Sequence, residues 1–287
     1  MTASSLPFFT PVDGFDTSAF TDGTLVLPCV SVGNVPQLTV DLLIATLPNI
    51  KRVGFLSTED LVPFVGGPEK PGDGGIVTAL EVYAQSGDED RGVYYLQQRS
   101  PVLKSRKEHY LSQFVPWVEQ MKFKKMLILA SLDGSNRASG SSDKHYQLPM
   151  PSVVSIPFPD LSGLPAYSHE SASSASSSGL EEISSTPSAA SQTVTTSTQP
   201  ILPPLPGSGL LSSLLLRISA DRESFQVATG VILSFVIEGD NREDAKQMGN
   251  VVDMALDLGI GRAGSGGWRE PESWEALVRG SERDRFE

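Results

Sequence analysis

At 287 residues, 39% of them hydrophobic, the chain is long enough for one large packed domain or two small ones. Its 22 basic and 34 acidic side chains leave a formal net charge of -12, which argues against a nucleic-acid backbone as partner because that affinity depends on clustered Lys and Arg. The single cysteine, Cys29, excludes an intrachain disulfide and a thiolate metal cluster.

The acidic excess is uneven. Residues 1–150 carry 13 basic and 16 acidic side chains and residues 151–287 carry 9 and 18, so most of the imbalance sits in the second half. No basic region followed by an apolar core opens the chain, so no signal peptide is expected. The longest apolar stretch, 227–237, is interrupted by Thr229, Gly230 and Ser234 and is too short for a bilayer. These features predict a cytoplasmic and nuclear protein with neither membrane nor nucleic acid as partner.

Residues 1–22 read as an extended lead-in whose Phe8, Phe9, Phe15 and Phe20 pin it to the body. A strand is predicted over 25–30. The turn at Gly33-Asn34 then opens a helix over 35–47, with Asn34 as N-cap and Gln37 completing a capping-box-like pair. That helix is apolar on most sides, which predicts burial against more than one element. A strand over 52–57 follows, and the strand-helix-strand order implies a parallel pair with a right-handed crossover.

Pro63 places the apolar piece 61–65 at an edge or bulge. Residues 76–83 read as a strand with Ile76, Thr78, Leu80 and Val82 on one face, paired antiparallel with 93–97 through the charged loop 86–92. A helix is predicted over 104–122, where Pro116 should cost roughly 3 kcal/mol or introduce a kink. The run 126–130 has the continuous apolar character of a central parallel strand. Between Ser168 and Thr198, 17 of 31 residues are Ser or Thr and none is aromatic, which predicts disorder. Beyond it come a helix over 210–220, a strand over 225–237 and a helix capped by Asp240 or Asn241 with Ala245, Met248, Val252, Ala255 and Leu256 buried. A short helix over 271–278 precedes a charged tail.

The resulting organisation is a lead-in (1–22), the first part of an α/β domain (23–165), a disordered Ser/Thr-rich insertion (166–202), the second part of the domain (203–278) and a tail (279–287). The fold class is a single α/β domain with a mixed, largely parallel central sheet flanked by helices.

Catalytic signatures are absent from the sequence: there is no phosphate loop, dinucleotide fingerprint, nucleophile elbow or His-Glu-x-x-His. Gly207-Ser-Gly209 could offer backbone N–H groups to an anion but follows a proline-rich loop, so a plain turn is preferred. Gly33-Asn34 lies where open α/β folds place ligands, yet a tight turn and a cap explain both residues. Glu59 and Asp60 read as a solvated loop, and His109, His145 and His169 are too scattered for a metal set. No catalytic, cofactor or metal residue is assigned.

An ordered series of stretches resembles one family. Val30-Ser-Val-Gly-Asn-Val-Pro-Gln-Leu38, containing Gly33, Asn34, Pro36 and Gln37, is followed by Asp41-Leu-Leu-Ile, Val53-Gly-Phe and Leu61-Val-Pro63. Then come Glu81-Val-Tyr83, Leu96-Gln-Gln-Arg-Ser100, Phe235-Val-Ile-Glu-Gly-Asp-Asn241, with Gly239, Asp240 and Asn241, and Trp268-Arg-Glu-Pro-Glu-Ser-Trp274. Together they resemble the proteasome assembly chaperone 2 family across roughly residues 15–280 outside the insertion. The resemblance implies a non-enzymatic chaperone without cofactors. Its implied partners are proteasome assembly chaperone 1, as a heterodimer, and proteasome α subunits, whose ring it helps to form while obstructing premature capping. It also implies a C-terminal tail inserted between α subunits, in which Phe286 fills an apolar pocket and the carboxylate at Glu287 pairs with a lysine; Arg285 departs from the hydrophobic residue expected before them. From a different class, a small-molecule enzyme with a nucleoside-phosphorylase-like or hydrolase-like α/β fold is the alternative.

Overall fold

The computed structural model describes residues 7–67, 75–85, 92–138, 143–149, 161–168, 202–221, 224–260, 262 and 267–274. Its strands are β1 (Phe9–Pro11), β2 (Thr24–Pro28), β3 (Ile50–Leu56), β4 (Val65–Gly66), β5 (Val77–Thr78), β6 (Leu80–Gln85), β7 (Val93–Gln98), β8 (Lys125–Asp133), β9 (His145–Gln147) and β10 (Ala228–Val236). Its helices are α1 (Val35–Thr46), α2 (Lys107–Gln120), α3 (Leu211–Ala220) and α4 (Arg242–Leu256).

Eight strands form one mixed sheet in the order β1-β3-β6-β7-β2-β8-β10-β9, and β4 pairs with β5 in a separate ribbon. The four central strands β7, β2, β8 and β10 run parallel, and antiparallel strands flank them on both sides. Side-chain alternation then explains the continuous apolar runs of β2 and β8. Leu25, Leu27, Met126, Ile128 and Ala130 pack in the core that holds α2 and α3, whereas Val26, Leu127 and Leu129 face the core formed with α1 and α4. The α/β class and the flanking helices are those indicated by the sequence.

The expected pairing of the first two long strands is corrected. β3 does run in the same direction as β2, but β6 and β7 lie between them, so the connection through α1 crosses two strand positions. The local order of elements specifies a crossover, whereas the number of strands it skips is decided by pairings made later in the chain.

α1 buries nine of its residues, among them Pro36, Gln37, Thr39 and Leu42, because it is held between the sheet and α4. α2 continues through Pro116. The buried face of Tyr110, Leu111, Phe114, Val115, Trp117 and Val118 accounts for this, since each such side chain contributes about 1.5–3 kcal/mol against the roughly 3 kcal/mol cost of the proline. Phe9 and Phe20 pack edge-on against each other and beside Trp117, and Phe9–Pro11 adds an edge strand to β3. The lead-in is therefore built into the aromatic core. α4 ends at Asp257, which adopts the left-handed conformation two residues before Gly259. Ala166 bridges to Gln147 and the Tyr167 hydroxyl donates to the Pro204 carbonyl, so these two residues belong to the packed body. Most of the insertion predicted over 166–202, residues 169–201, lies outside the described residues, as do residues 86–91 of the charged loop 86–92 and the tail 279–287.

Candidate protein-binding surface

Two buried polar junctions gather residues that are far apart in the chain. At the first, Gly33 takes a φ of +67°, and a Cβ there would lie 2.4 Å from the Asn241 side-chain nitrogen. That nitrogen donates to the carbonyls of Gly33 and Gly239, at 3.2 and 3.1 Å. Gln37 Nε2 donates to Asn34 Oδ1 at 3.2 Å, and Gln97 Nε2 donates to the Gln37 carbonyl at 2.9 Å and to Asp41.

The capping expectation is corrected here. Asn34 is left-handed and its side chain makes no cap bond to α1; it receives the Gln37 amide instead. Asn241 precedes α4 without a side-chain cap bond, because its amide is turned back toward Gly33. Asp240 is mostly exposed and supplies the expected side-chain bond at the start of α4, its Oδ1 accepting from the Arg242 amide at 3.3 Å; the hydrogen-bonded Arg242 guanidinium, aided by that amide, holds the carboxyl down at about 2. Trp274 is buried against Leu42 and Ala245. Phe286 and Glu287 lie outside the described residues.

The second junction centres on Glu81, a fully buried carboxylate. It accepts from Arg52 Nη1 (2.8 Å), Arg99 Nη1 (2.8 Å), the Tyr83 hydroxyl (2.7 Å), and the Thr78 amide and hydroxyl (3.0 and 3.2 Å). The two guanidiniums continue outward, Arg52 to the Ile76 carbonyl and Arg99 to the Thr78 carbonyl, each at 3.0 Å. Burial also raises the Tyr83 phenol above its ordinary value. A buried carboxylate with this many donors fixes the backbone of 76–78 from below.

What this junction supports is an apolar surface. Leu61 and Val102 form an inward-facing bridge, so by alternation Val62 and Leu103 point outward. Val65 opposite Thr78, and Ile76 beside buried Val77, face out in the same way, with exposures of 67% and 60%. With Phe64, these are five of the eight exposed large hydrophobic side chains among the described residues. Ser100 Oγ donates to the Val62 carbonyl at 2.6 Å and Val62 N donates to the Pro101 carbonyl, tying the segments together. Pro63 sits at the exposed edge, where it lacks an N–H to offer an incoming strand. The expected single face of Ile76, Thr78, Leu80 and Val82 is corrected, because the strand is interrupted at Ala79 and, of the four, only Leu80 and Val82 reach the core.

Asp60 also differs from the solvated loop expected for it. It is 1% exposed and accepts from Arg106 Nε at 2.7 Å, with His109 Nδ1 2.8 Å from its other oxygen and Glu59 nearby. Ligand atoms of Glu59, Asp60 and His109 lie within 4.8 Å of one another, although the scattered histidines gave no such set in the sequence. The Arg106 guanidinium on Asp60 opposes a second cation, and the group acts as an ion-paired anchor for the start of α2. At Gly207-Ser-Gly209, a Cβ on Gly209 would come within 1.9 Å of the Val30 carbonyl oxygen and one on Gly207 within 2.3 Å of Val32. These glycines serve close packing between loops.

Periodicity gave no sign of the exposed ribbon, because an outward Val or Ile in a short strand has the same spacing as an inward one. The available clue is Glu81, a charge inside a strand otherwise built for burial, with Arg99 directly after the paired strand.

A sheet covered on both faces by helices, with an apolar ribbon held outside that core, defines an α/β scaffold with a candidate protein-binding surface. The model described as the PAC2 family matches residues 25–255, and the chain belongs to that family. It is 31% identical over 261 residues to proteasome assembly chaperone 2 of Xenopus laevis, covering 88% of this chain and 90% of that protein. It is 28% identical to the Homo sapiens protein of the same name, covering 88% and 90%. Among solved structures it resembles PbaA of Pyrococcus furiosus, an archaeal homologue of proteasome-assembly chaperone, with TM-score 0.51, 11% identity and coverage of 92% and 87%. That likeness concerns the fold.

Proposed function

We propose that this chain is a non-enzymatic chaperone of proteasome core assembly, working as a heterodimer with proteasome assembly chaperone 1 on the α ring and obstructing premature capping. The observation that carries the reading is the near full-length similarity to relatives named proteasome assembly chaperone 2. The Glu81-anchored apolar ribbon supports it, because a rigid exposed apolar surface suits a protein partner. Cytoplasm and nucleus are the compartments this role implies.

Affinity purification of the tagged full chain from its own cells tests the proposal. Proteasome α subunits and a related chaperone are expected in the eluate; a chain recovered without any proteasome subunit sinks the reading. Deleting residues 285–287 tests the tail separately. Weaker retention of α subunits is expected if Phe286 and Glu287 insert between them, and unchanged retention removes the tail from the mechanism.

A further inference from the structure

We propose that the seam between α1 and α4 is a peptide-binding groove closed in cis by residues 267–274, and that this segment lifts off the body as a unit. The assignment is independent of the chaperone reading.

The seam is shaped to receive a chain segment. α1 and α4 approach closely enough for the Thr39 hydroxyl to donate to the Ala245 carbonyl at 3.1 Å. A glycine inside a helix costs about 1 kcal/mol relative to alanine, and Gly249 occupies the middle of α4. A Cβ there would lie 2.6 Å from the Trp268 ring, so the glycine is the seat of that indole. Trp268 Nε1 donates to Asn250 Oδ1 at 2.8 Å. Six residues on, Trp274 is 3% exposed and packs on Leu42 of α1 and Ala245 of α4. Between the indoles, Glu270 meets Lys246 at 2.8 Å and Arg242 at 3.5 Å, and the Arg269 amide donates to Thr46 Oγ1 at 2.9 Å.

A protein holds a separate peptide in the same way, with aromatic anchors at both ends and a charge between them. Residues 267–271 adopt neither helix nor strand, and no β-ladder ties the segment to the sheet. Segments held by side-chain contacts open at lower free energy than the helices beneath them. Trp268 and Trp274 share the floor of Leu38, Leu42 and Ala245, so freeing one end uncovers the other. Lifting the segment leaves that apolar floor edged by the Lys246 and Arg242 charges. The ligand it fits is a peptide with two aromatic residues six positions apart and a carboxylate between them, of which 267–274 is the cis occupant. The fraction of open groove then sets the apparent affinity for such a peptide in trans.

The test uses the full chain and a labelled synthetic peptide with the sequence of residues 267–274. In native-state hydrogen exchange, the Arg269 amide and the Trp274 amide, which donates to the Pro271 carbonyl at 3.1 Å, should share one protection factor, at least tenfold below that of the Val252 amide inside α4. Lys246→Glu, which takes the lysine from Glu270, should lower both by the same factor, about two- to fivefold, and leave Val252 unchanged. Protection equal to that of Val252, or a loss confined to Arg269, overturns the proposal. In trans, the peptide should bind Trp274→Ala at least tenfold more tightly than wild type, because the cis segment has lost an anchor. Equal affinity for the two proteins, or no binding to either, overturns the groove. Should Trp274→Ala fail to melt cooperatively, Thr46→Val, which removes the acceptor of the Arg269 amide, carries the same comparison with an expected gain of about two- to tenfold.

Discussion

The Asn241 side-chain nitrogen donates to the Gly33 carbonyl at 3.2 Å, linking positions 208 residues apart in the chain. One junction thus joins the turn that opens α1 to the turn that opens α4, and the two helices pack side by side. Gly33→Ala is expected to destabilise by about 2–4 kcal/mol, since it combines a left-handed backbone with a Cβ 2.4 Å from that nitrogen. Asn241→Ala should cost about 0.5–1.5 kcal/mol by removing the buried amide that bonds the part-buried Gly33 carbonyl and the exposed Gly239 carbonyl. Because Asn241→Ala also removes the atom that a new Cβ would strike, the double variant should lose less than the sum of the single ones. Urea unfolding of the four proteins measures the coupling; strict additivity would mean that the two side chains act independently.

Glu81 presents a different balance. Replacing it with Gln preserves the shape and removes the charge that Arg52 and Arg99 share, and the Arg99 side chain is only 6% exposed. Breaking a buried pair in this way typically costs about 3–5 kcal/mol. Arg52→Gln should cost less, because its side chain is 31% exposed and water replaces part of what is lost. The Thr78 amide bonds to Glu81, so its hydrogen exchange should accelerate in Glu81→Gln. An unchanged Thr78 exchange rate would show that the ribbon is held by other contacts.

Much of this architecture is legible in the sequence because it is local. The α1 signal is a turn followed by a continuous apolar stretch, and the helix starts at Val35 as expected. The central position of β8 follows from its unbroken apolar run, which only a strand covered on both faces tolerates. Side-chain polar partners were less legible. Asn34 and Asn241 each have the composition of a cap, but their bonds are chosen by groups brought close in the folded chain. Asp60 reads as solvated for the same reason, since Arg106 and His109 reach it from 46 and 49 residues away. The candidate surface lay in this less legible part: the quoted Glu81, Tyr83, Arg99 and Ser100 appear as family matches, while their convergence beneath Ile76 and Val62 is tertiary.

Cys29 is buried at the end of β2, and burial pushes its thiol up to about 12. The thiolate is the reactive form, so native protein at pH 8 should react with a disulfide reagent at least roughly a hundredfold more slowly than unfolded protein. Addition of denaturant should release one equivalent of thiol. Fast labelling of the native chain would show that the β2 end opens on the timescale of the reagent, and would identify that end of the sheet as its least stable part.

His145 sets the acid limit of the β9 edge. Its Nδ1 lies 2.6 Å from Ser234 Oγ, and burial moves the imidazole from 6.5 down to about 4, reinforced by the Lys144 charge and partly offset by Asp244. Lys144 itself is held by Asp244 and Gln247. The native state therefore resists a proton that the unfolded chain accepts near pH 6.5, so the stabilising contribution is complete above that value and is lost as pH falls toward 4. After allowance for partial exposure the loss is on the order of 2–3 kcal/mol. His145→Gln can keep a bond to Ser234 without titrating, so its stability should decline less between pH 7 and pH 4 than that of wild type. Carboxylates titrate in both proteins, and the difference between the two urea-unfolding series isolates the histidine. Parallel series would mean that the imidazole gains its proton in the native state as readily as in the unfolded one, and that the Ser234 contact imposes no acid limit on this edge.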